Sequence, residues 1–343
     1  MRSATSNFVA LDHRMELPII AIFRGGYSGE SVISHQSAQR MMLSIDTDRF
    51  RPVFITISKE AWTCEDREGK AITFDRGTFS ISIGDPPDRI AAALIAIHGS
   101  PGEDGKLQGM LEIYGIPFQT GDVLSMAITF SKSATVALLK QQGFPVAPSI
   151  MLSPGDRYTD RMAVLGFPVF VKPDRSGSSL GVSKVKEQAE LMPALDLAFA
   201  ESDQVLVEAA VKGRELTCGV IRIGGELRAL PICEIKTSRE FFDYEAKYHS
   251  NDTQEIIPAD LPPSITQMIQ DRSVAIYKAF NCRGMVRVDH FWTGGSGEDA
   301  IVTIELNTVP GFSGASIFPK MIEAAGLSVK EVINALIGEM VGK

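Results

Sequence analysis

The chain reads as an α/β protein, α+β overall, and three observations carry that reading. Short apolar runs such as LPIIAIF (17–23) lead straight into glycine-containing loops, as the strands of a parallel sheet do. Helical stretches separate them, the first at Ser31–Ser44. Near the carboxyl end, MVRVDHFW (285–292) and TIELN (303–307) alternate in polarity on either side of the turn signal TGGSGED. That pattern predicts an antiparallel hairpin.

The elements follow in order. Residues 17–23 are the first strand, 31–44 a helix, 52–57 the second strand and 93–97 the third. Loops at the carboxyl ends of such strands in an open parallel sheet are where ligands bind. AITF and TFSISI, within 62–84, read as an antiparallel addition. A helical pattern then runs from about 121 to 142, broken by Gly143. Strands are expected at 146–152, 169–172 and 204–208, with a helix at 187–200. Residues 216–235 are strand-rich, 237–258 form a long loop and 265–280 a helix, before the hairpin and two closing helices. These divide the chain into an extension (1–17) and three domains, at 18–120, 121–207 and 208–343.

Composition narrows the function classes. Of 343 residues, 44% are hydrophobic and 22% charged, so the chain has ample core. Lys plus Arg number 34 against 42 Asp plus Glu, a net of −8. That balance argues against nucleic acid or an anionic membrane as partner. The longest uninterrupted apolar run, IAAALIAI (90–97), is far too short to cross a bilayer. Residues 1–17 carry charges and no apolar segment, unlike a secretory signal. Cys64, Cys218, Cys233 and Cys282 form no CxxC pair and no zinc spacing, which suits a reducing cytoplasm.

The hairpin carries the first chemistry. Period-two alternation puts Arg287, Asp289, Glu305 and Asn307 on one face, with Val286, Val288, Ile304 and Leu306 packing inward. Two carboxylates and an amide oxygen suit a hard divalent cation, and the guanidinium an anionic substrate. The same pattern also describes any half-exposed antiparallel sheet, whose surface ion pairs are weak. The small-residue loop that follows, TVPGFSGAS (308–316), tips the balance by exposing backbone amides.

Four other segments stand out. FRGGYSGESVIS (23–34) lacks G-x-G-x-x-G, and Glu30 in its turn would repel a pyrophosphate but receive an ammonium group; helix capping explains it as well. HGSPGEDGKLQG (98–109) offers His98 at the same sheet edge, while Glu103 and Asp104 read as the start of a helix. VFVKPDRSGSSLGVSKV (169–185) delivers Lys172 into a flexible loop of small residues, either a phosphate cradle or a hairpin turn. REFFDYEAKY (239–248) crowds aromatics into a long loop, either a lid or an anchored connection.

Taken together, GGYSGE, HGSPGEDGKLQGMLE, FSK around Lys132, VFVKPDRSGSSLGVSKV, FFDYEAKY, RVDH and ELNTVPGFSGAS resemble the D-alanine–D-alanine ligases of the ATP-grasp superfamily. The resemblance covers nearly the whole chain from about residue 18. It implies three domains: an N-terminal α/β substrate domain, then central and C-terminal domains that sandwich ATP. It also implies roles. Lys132 and Lys172 would hold the ATP phosphates, under a loop containing Ser176, Gly177 and Ser179. Glu208, Ala209 and Val211 would meet adenine and Glu215 the ribose, with Phe241 and Lys247 lining the same pocket. Asp289, Glu305 and Asn307 would coordinate two Mg²⁺ ions, replaceable by Mn²⁺, with Glu305 bridging. Glu30 would bind the ammonium of the first D-alanine, aided by Ser178 and Tyr248, with His98 near its carboxylate. Gly311, Ser316 and Ile317 would place the second D-alanine, and Arg287 would stabilise the developing oxyanion.

The implied product is D-alanyl-D-alanine, made through a D-alanyl phosphate for peptidoglycan synthesis by a cytoplasmic homodimer. A ligase joining D-alanine to D-lactate is the alternative, disfavoured by Tyr248 in its EAKY context. A non-catalytic ATP-binding protein is disfavoured by the retained hairpin quartet, and a nicotinamide dehydrogenase by the missing fingerprint. The chain departs from the commonest family pattern at Ser31–Val32, Ser176, Ala209 and Phe312, which bears on nucleotide affinity and loop closure.

Overall fold

A computed structural model of the chain describes residues 17–83, 87–157, 159–177, 180–237 and 253–342. The first unit is built on β1 (Ile19–Gly25), which pairs in parallel with β2 (Arg51–Ile57) and β6 (Asp88–Ile95). Its continuous apolar run is explained by two buried faces. Ile20 and Ile22 enter a core shared with the carboxyl-terminal helices, while Ile19, Ala21 and Phe23 enter a second core. The helix α1 (Ser31–Ser44) packs on the first of these faces.

The sheet is not open, as the sequence suggested. β3 (Trp62–Glu65), β4 (Ala71–Asp75) and β5 (Ser80–Ser82) are the expected antiparallel addition, but they run from β2 round to β6 and close the sheet into a barrel. Phe79 plugs that barrel, stacked on Phe23 and Tyr114 and met edge-on by Trp62 and Phe74. Burying Phe23 and Phe79, with Trp62, Phe74 and Tyr114 packed against them, removes apolar surface that an open edge would leave in water. The helix α2 (Lys106–Ile113) then covers the barrel through Leu107 and Leu111.

The single helix expected at 121–142 is two: α3 (Val123–Phe130) and α4 (Lys132–Gln141), bent by 103°. Ser131 breaks it. Its backbone is extended, and its hydroxyl accepts the Ala134 N–H, as an N-cap does.

The central sheet is wholly antiparallel, in the order β7 (Ser149–Leu152), β10 (Val205–Ala209), β8 (Val169–Pro173), β9 (Ser183–Val185). The strand expected at 146–152 begins only at Ser149. Pro145 and Pro148, lacking N–H donors, instead offer carbonyls to Thr303 and Ala209. Val169, Val171, Val205 and Val207 face the helix α6 (Gln188–Glu201), and Phe170, Lys172 and Glu208 face the other way. The short turn α5 (Thr159–Met162) lies between β7 and β8.

The last sheet runs β14 (Thr253–Ile256), β13 (Cys233–Thr237), β11 (Arg214–Ile223), β15 (Met285–Trp292), β16 (Ile301–Asn307), with β12 (Glu226–Ala229) paired to β11. So the loop expected at 237–258 contains a strand, while its residues 238–252 lie outside the described residues. The helix α7 (Pro263–Ala279) and α4 cover one face, packing Ile276, Tyr277 and Leu139 on Val220, Val286, Val288 and Leu306. Two closing helices, α8 (Ile317–Ala324) and α9 (Val329–Val341), return to the first unit. Asn334 on α9 donates to the Ser44 carbonyl and accepts the Asp46 N–H, satisfying groups orphaned at the end of α1.

Candidate active site

The three sheets and the carboxyl-terminal loop face one cleft. Every site residue expected from the sequence that falls among the described residues lines it. Its first wall is the turn after β1. Gly25 and Gly26 have φ of 93° and 98°, and a Cβ on Gly25 would stand 2.4 Å from the Ile57 carbonyl oxygen, so the chain can turn here only without side chains. Glu30 is the N-cap residue of α1, but its side chain makes no cap bond and is buried in the cleft. Ser28 fixes this turn by accepting the Glu30 N–H and donating to the His98 carbonyl at 2.9 Å.

His98 stands beside Glu30 with its Nε2 buried and without a hydrogen-bond partner among the described residues. Burial holds the imidazole below its usual pKa range, against the pull of the Glu30 carboxylate. Glu103 is not the helix-start residue that the sequence leads one to expect. The helix α2 starts at Lys106, and Glu103 turns into the cleft, where its Oε2 accepts the Gly99 N–H at 2.8 Å. Burial, then the neighbouring Glu30 charge, pushes its carboxyl up to about 8. Sequence reasoning missed it because an acid before a helix looks like a favourable first-turn charge.

The second wall is the central sheet. Phe170, Lys172 and Glu208 share its cleft face, and Lys172 Nζ reaches Glu208 Oε2 at 2.6 Å. Burial opposes the ammonium charge, but the Glu208 carboxylate outweighs it and holds Lys172 above its ordinary range. Glu208 Oε1 is buried without a hydrogen-bond partner among the described residues. Lys132, first residue of α4, donates to the Ser176 carbonyl at 2.6 Å. The departure at Ser176 therefore leaves this contact intact, since backbone receives the lysine. The Gly177 backbone lies directly against Glu30: a Cβ there would be 2.2 Å from Oε2. Ala209, Val211 and Glu215 complete this end of the cleft.

The third wall is the hairpin. Asp289 pairs with Glu305, and Arg287 with Asn307, as alternation predicts. Arg287 donates through Nε and Nη2 to both oxygens of Asp289, each at 2.9 Å, and Asn307 Nδ2 donates to Asp289 Oδ2 at 3.0 Å. Thr217 Oγ1 donates to Asp289 from β11. Ile304 does not pack inward as expected. A one-residue bulge sets His290 opposite Thr303, so Ile304 is the extra residue and lines the cleft. Among the described residues no three His, Cys, Asp or Glu side chains cluster as a metal site. Asp289, Glu305 and Asn307 give two carboxylates and an amide oxygen. Those hard donors fit a cation that completes its shell with phosphate and water.

The loop after β16 closes the cleft. Ser316 is the N-cap residue of α8, and its hydroxyl accepts the Ser313 N–H at 3.0 Å. Gly311 and Ile317 line the cleft on either side. Phe312, a departure from the family pattern, is fully buried in the shared core and donates its N–H to Ser37 Oγ at 3.0 Å. Ser178, Ser179, Phe241, Lys247 and Tyr248 lie outside the described residues.

Comparison with known proteins matches this architecture. The family model described as D-ala D-ala ligase N-terminus matches residues 19–121, and D-ala D-ala ligase C-terminus matches 138–338. The D-alanine–D-alanine ligase of Porphyromonas gingivalis is 37% identical over 327 residues, covering 94% of this chain and 98% of that relative. The solved VanG D-Ala:D-Ser ligase of Enterococcus faecalis is 33% identical with a TM-score of 0.81, covering 95% and 100% of the two chains. The D-alanine–D-alanine ligase of Bacillus anthracis solved with ATP is 28% identical with a TM-score of 0.75, covering 95% and 98%. The fold is thus the ATP-grasp fold that the motifs led one to expect, and the chain belongs to the D-alanine–D-alanine ligase family.

Proposed function

We propose that the chain joins two D-alanine molecules in an ATP-dependent reaction, and that the cleft residues divide the work as the family motifs imply. One observation carries the reading: an acidic ammonium site (Glu30), two lysines (Lys132, Lys172) and the hairpin quartet all meet in a single cleft. Glu30 and His98 hold the first D-alanine by its ammonium and carboxylate. Lys132 and Lys172 take the phosphates, with Ser176, Gly177, Ser178 and Ser179 over them. Glu208, Ala209 and Val211 meet adenine, Glu215 the ribose, and Phe241 and Lys247 the rest of the nucleotide.

A carboxylate is a poor acyl donor, so its oxygen first attacks the γ-phosphorus, the bond to ADP breaks and a D-alanyl phosphate forms. The lysines reduce the repulsion between the two anions. Magnesium held by Asp289, Glu305 and Asn307 would supply further neutralisation of phosphate charge. Gly311, Ser316 and Ile317 position the second D-alanine, whose amine attacks the acyl carbon and expels phosphate. Arg287, held by its bidentate contact to Asp289, would stabilise the oxyanion of that step, as the family motifs imply. Ser178 and Tyr248 complete the first site. Closure over it keeps water from the acyl phosphate.

The division into three domains at 18–120, 121–207 and 208–343 belongs to the same reading. So do a cytoplasmic homodimer and the choice of amine nucleophile. Three separate sheets support the number of domains, while the boundary at 207/208 falls inside β10 and α4 packs on the carboxyl-terminal sheet. Four free buried cysteines suit a reducing compartment. Among the described residues no single helix is long and apolar enough to cross a membrane. The test is product analysis with ATP, Mg²⁺ and D-alanine, with D-serine and D-lactate as competing nucleophiles. D-alanyl-D-alanine as the main product at neutral pH is expected; preferential depsipeptide or D-alanyl-D-serine overturns the choice of second substrate.

A further inference from the structure

Asp174 is a buried carboxylate that the chemistry above leaves unused, only 1% exposed and just past the end of β8. Its Oδ1 accepts the Ser133 N–H at 2.7 Å, and its Oδ2 accepts the Ser131 hydroxyl at 2.8 Å. Its carbonyl accepts the Lys132 N–H at 3.1 Å, and its own N–H donates to the Gln204 carbonyl at 2.9 Å. Three consecutive residues at the start of α4 are thus fixed to one residue of the central sheet. The contact spans two bodies of the fold. The helix α4 packs through Leu139 on the carboxyl-terminal sheet, whereas β8 belongs to the central one.

The residue in the middle of that contact is Lys132, whose ammonium returns to the Ser176 carbonyl, two positions after Asp174. Lys172, two positions before it, faces the cleft from β8. Asp174 therefore lies midway in sequence between Lys172 and Ser176, and its carboxylate bonds the residues on either side of Lys132. Asp174 itself does not line the cleft. Its charge is directed at the α4 N-terminus, where the helix dipole and donors compensate it, rather than at an incoming anion.

We propose, resting on the reading of Lys132 and Lys172 as nucleotide contacts, that Asp174 is a positioning residue for the nucleotide. It sets the place of Lys132 relative to Lys172 and ties the central sheet to α4. The experiment measures ATP binding directly, by calorimetry on the full chain, beside the KM values for ATP and D-alanine. Asp174→Ala is expected to weaken ATP binding about tenfold or more, the effect of losing charge-assisted bonds. KM for the first D-alanine should move by less than about twofold, since Glu30 and His98 are untouched. Asp174→Asn keeps an oxygen for Ser133 N–H and should restore most of the affinity. The decisive arm repeats Asp174→Ala in a Lys132→Ala background, where it should add less than about twofold. Independent, multiplying effects of the two changes overturn the proposal, as does equal loss in every constant with no recovery in Asp174→Asn. If Asp174→Ala does not fold, Ser131→Ala, which removes the hydroxyl donated to Asp174, carries the same cycle with Lys132→Ala. A wild-type chain that binds ATP but makes no dipeptide refutes the ligase reading alone; one that does not bind ATP refutes both.

Discussion

Glu305 shows how much of the site a two-residue period reveals. It stands opposite Asp289, facing the cleft on the same side as Asn307 two positions on, although the bulge at Ile304 breaks the alternation just before it. Glu305→Ala is expected to abolish ATP-dependent phosphate release; a variant with full rate contradicts the metal assignment. Glu103 is the opposite case, a cleft residue that the sequence presented as a helix start. Its carboxyl, pushed up to about 8, stays protonated where an unfolded chain, near its ordinary value of about 4.3, has lost the proton. The unfolded state then binds fewer protons, so this group's contribution to stability falls as pH rises between those two values. Glu103→Gln should therefore melt a few degrees above wild type at pH 8, and the difference should vanish below about pH 4. Thermal melts across pH check the sign. His98 was legible as a strand-end residue, but its low pKa follows from burial among groups distant in sequence, which no local pattern records.

At the scale of elements, strands and loops were legible where the pattern itself imposes the structure. The buried strands at 19–25 and 169–173 and the carboxyl-terminal hairpin fall where apolar runs and turn residues put them. Breaks were not. Ser131 lies inside a continuous helical pattern; it becomes a cap by accepting the Ala134 N–H, while Asp174, 43 residues away, accepts its hydroxyl. The bulge that turns Ile304 into the cleft is likewise set by the pairing partner rather than by the strand's own sequence. Local capping is more predictable. Ser328 and Glu331 form a reciprocal capping box at the start of α9. Ser328→Ala is expected to cost about 1 kcal/mol in urea unfolding, with no change in the kinetics of the cleft. Loss of activity at unchanged stability would contradict a purely local role.

For the whole molecule, the amino-terminal unit does not own a complete core. Ile20, Ile22, Met41 and Met42 bury themselves against Phe312, Phe318, Val332 and Ile337 from the carboxyl end. That shared core fixes Glu30 and His98 relative to the hairpin and to the loop holding Gly311 and Ser316. Phe318→Ala should cost about 3–5 kcal/mol and destabilise both ends of the chain together. Fluorescence and circular dichroism should report a single coincident transition for them; separate transitions would show independent ends. Residues 17–121 expressed alone should keep the barrel core around Phe79 but lose fixed packing of α1, because the other face of β1 would meet water. This long-range burial was hidden in the sequence, where the runs that meet are nearly 300 residues apart. The cleft thus joins motifs from both ends of the chain around one reaction. The most direct test is phosphate release from ATP and Mg²⁺ with D-alanine, and with L-alanine as control. Phosphate formed in step with dipeptide, on D-alanine only, is the expected result; release that ignores the amino acid or its chirality contradicts it.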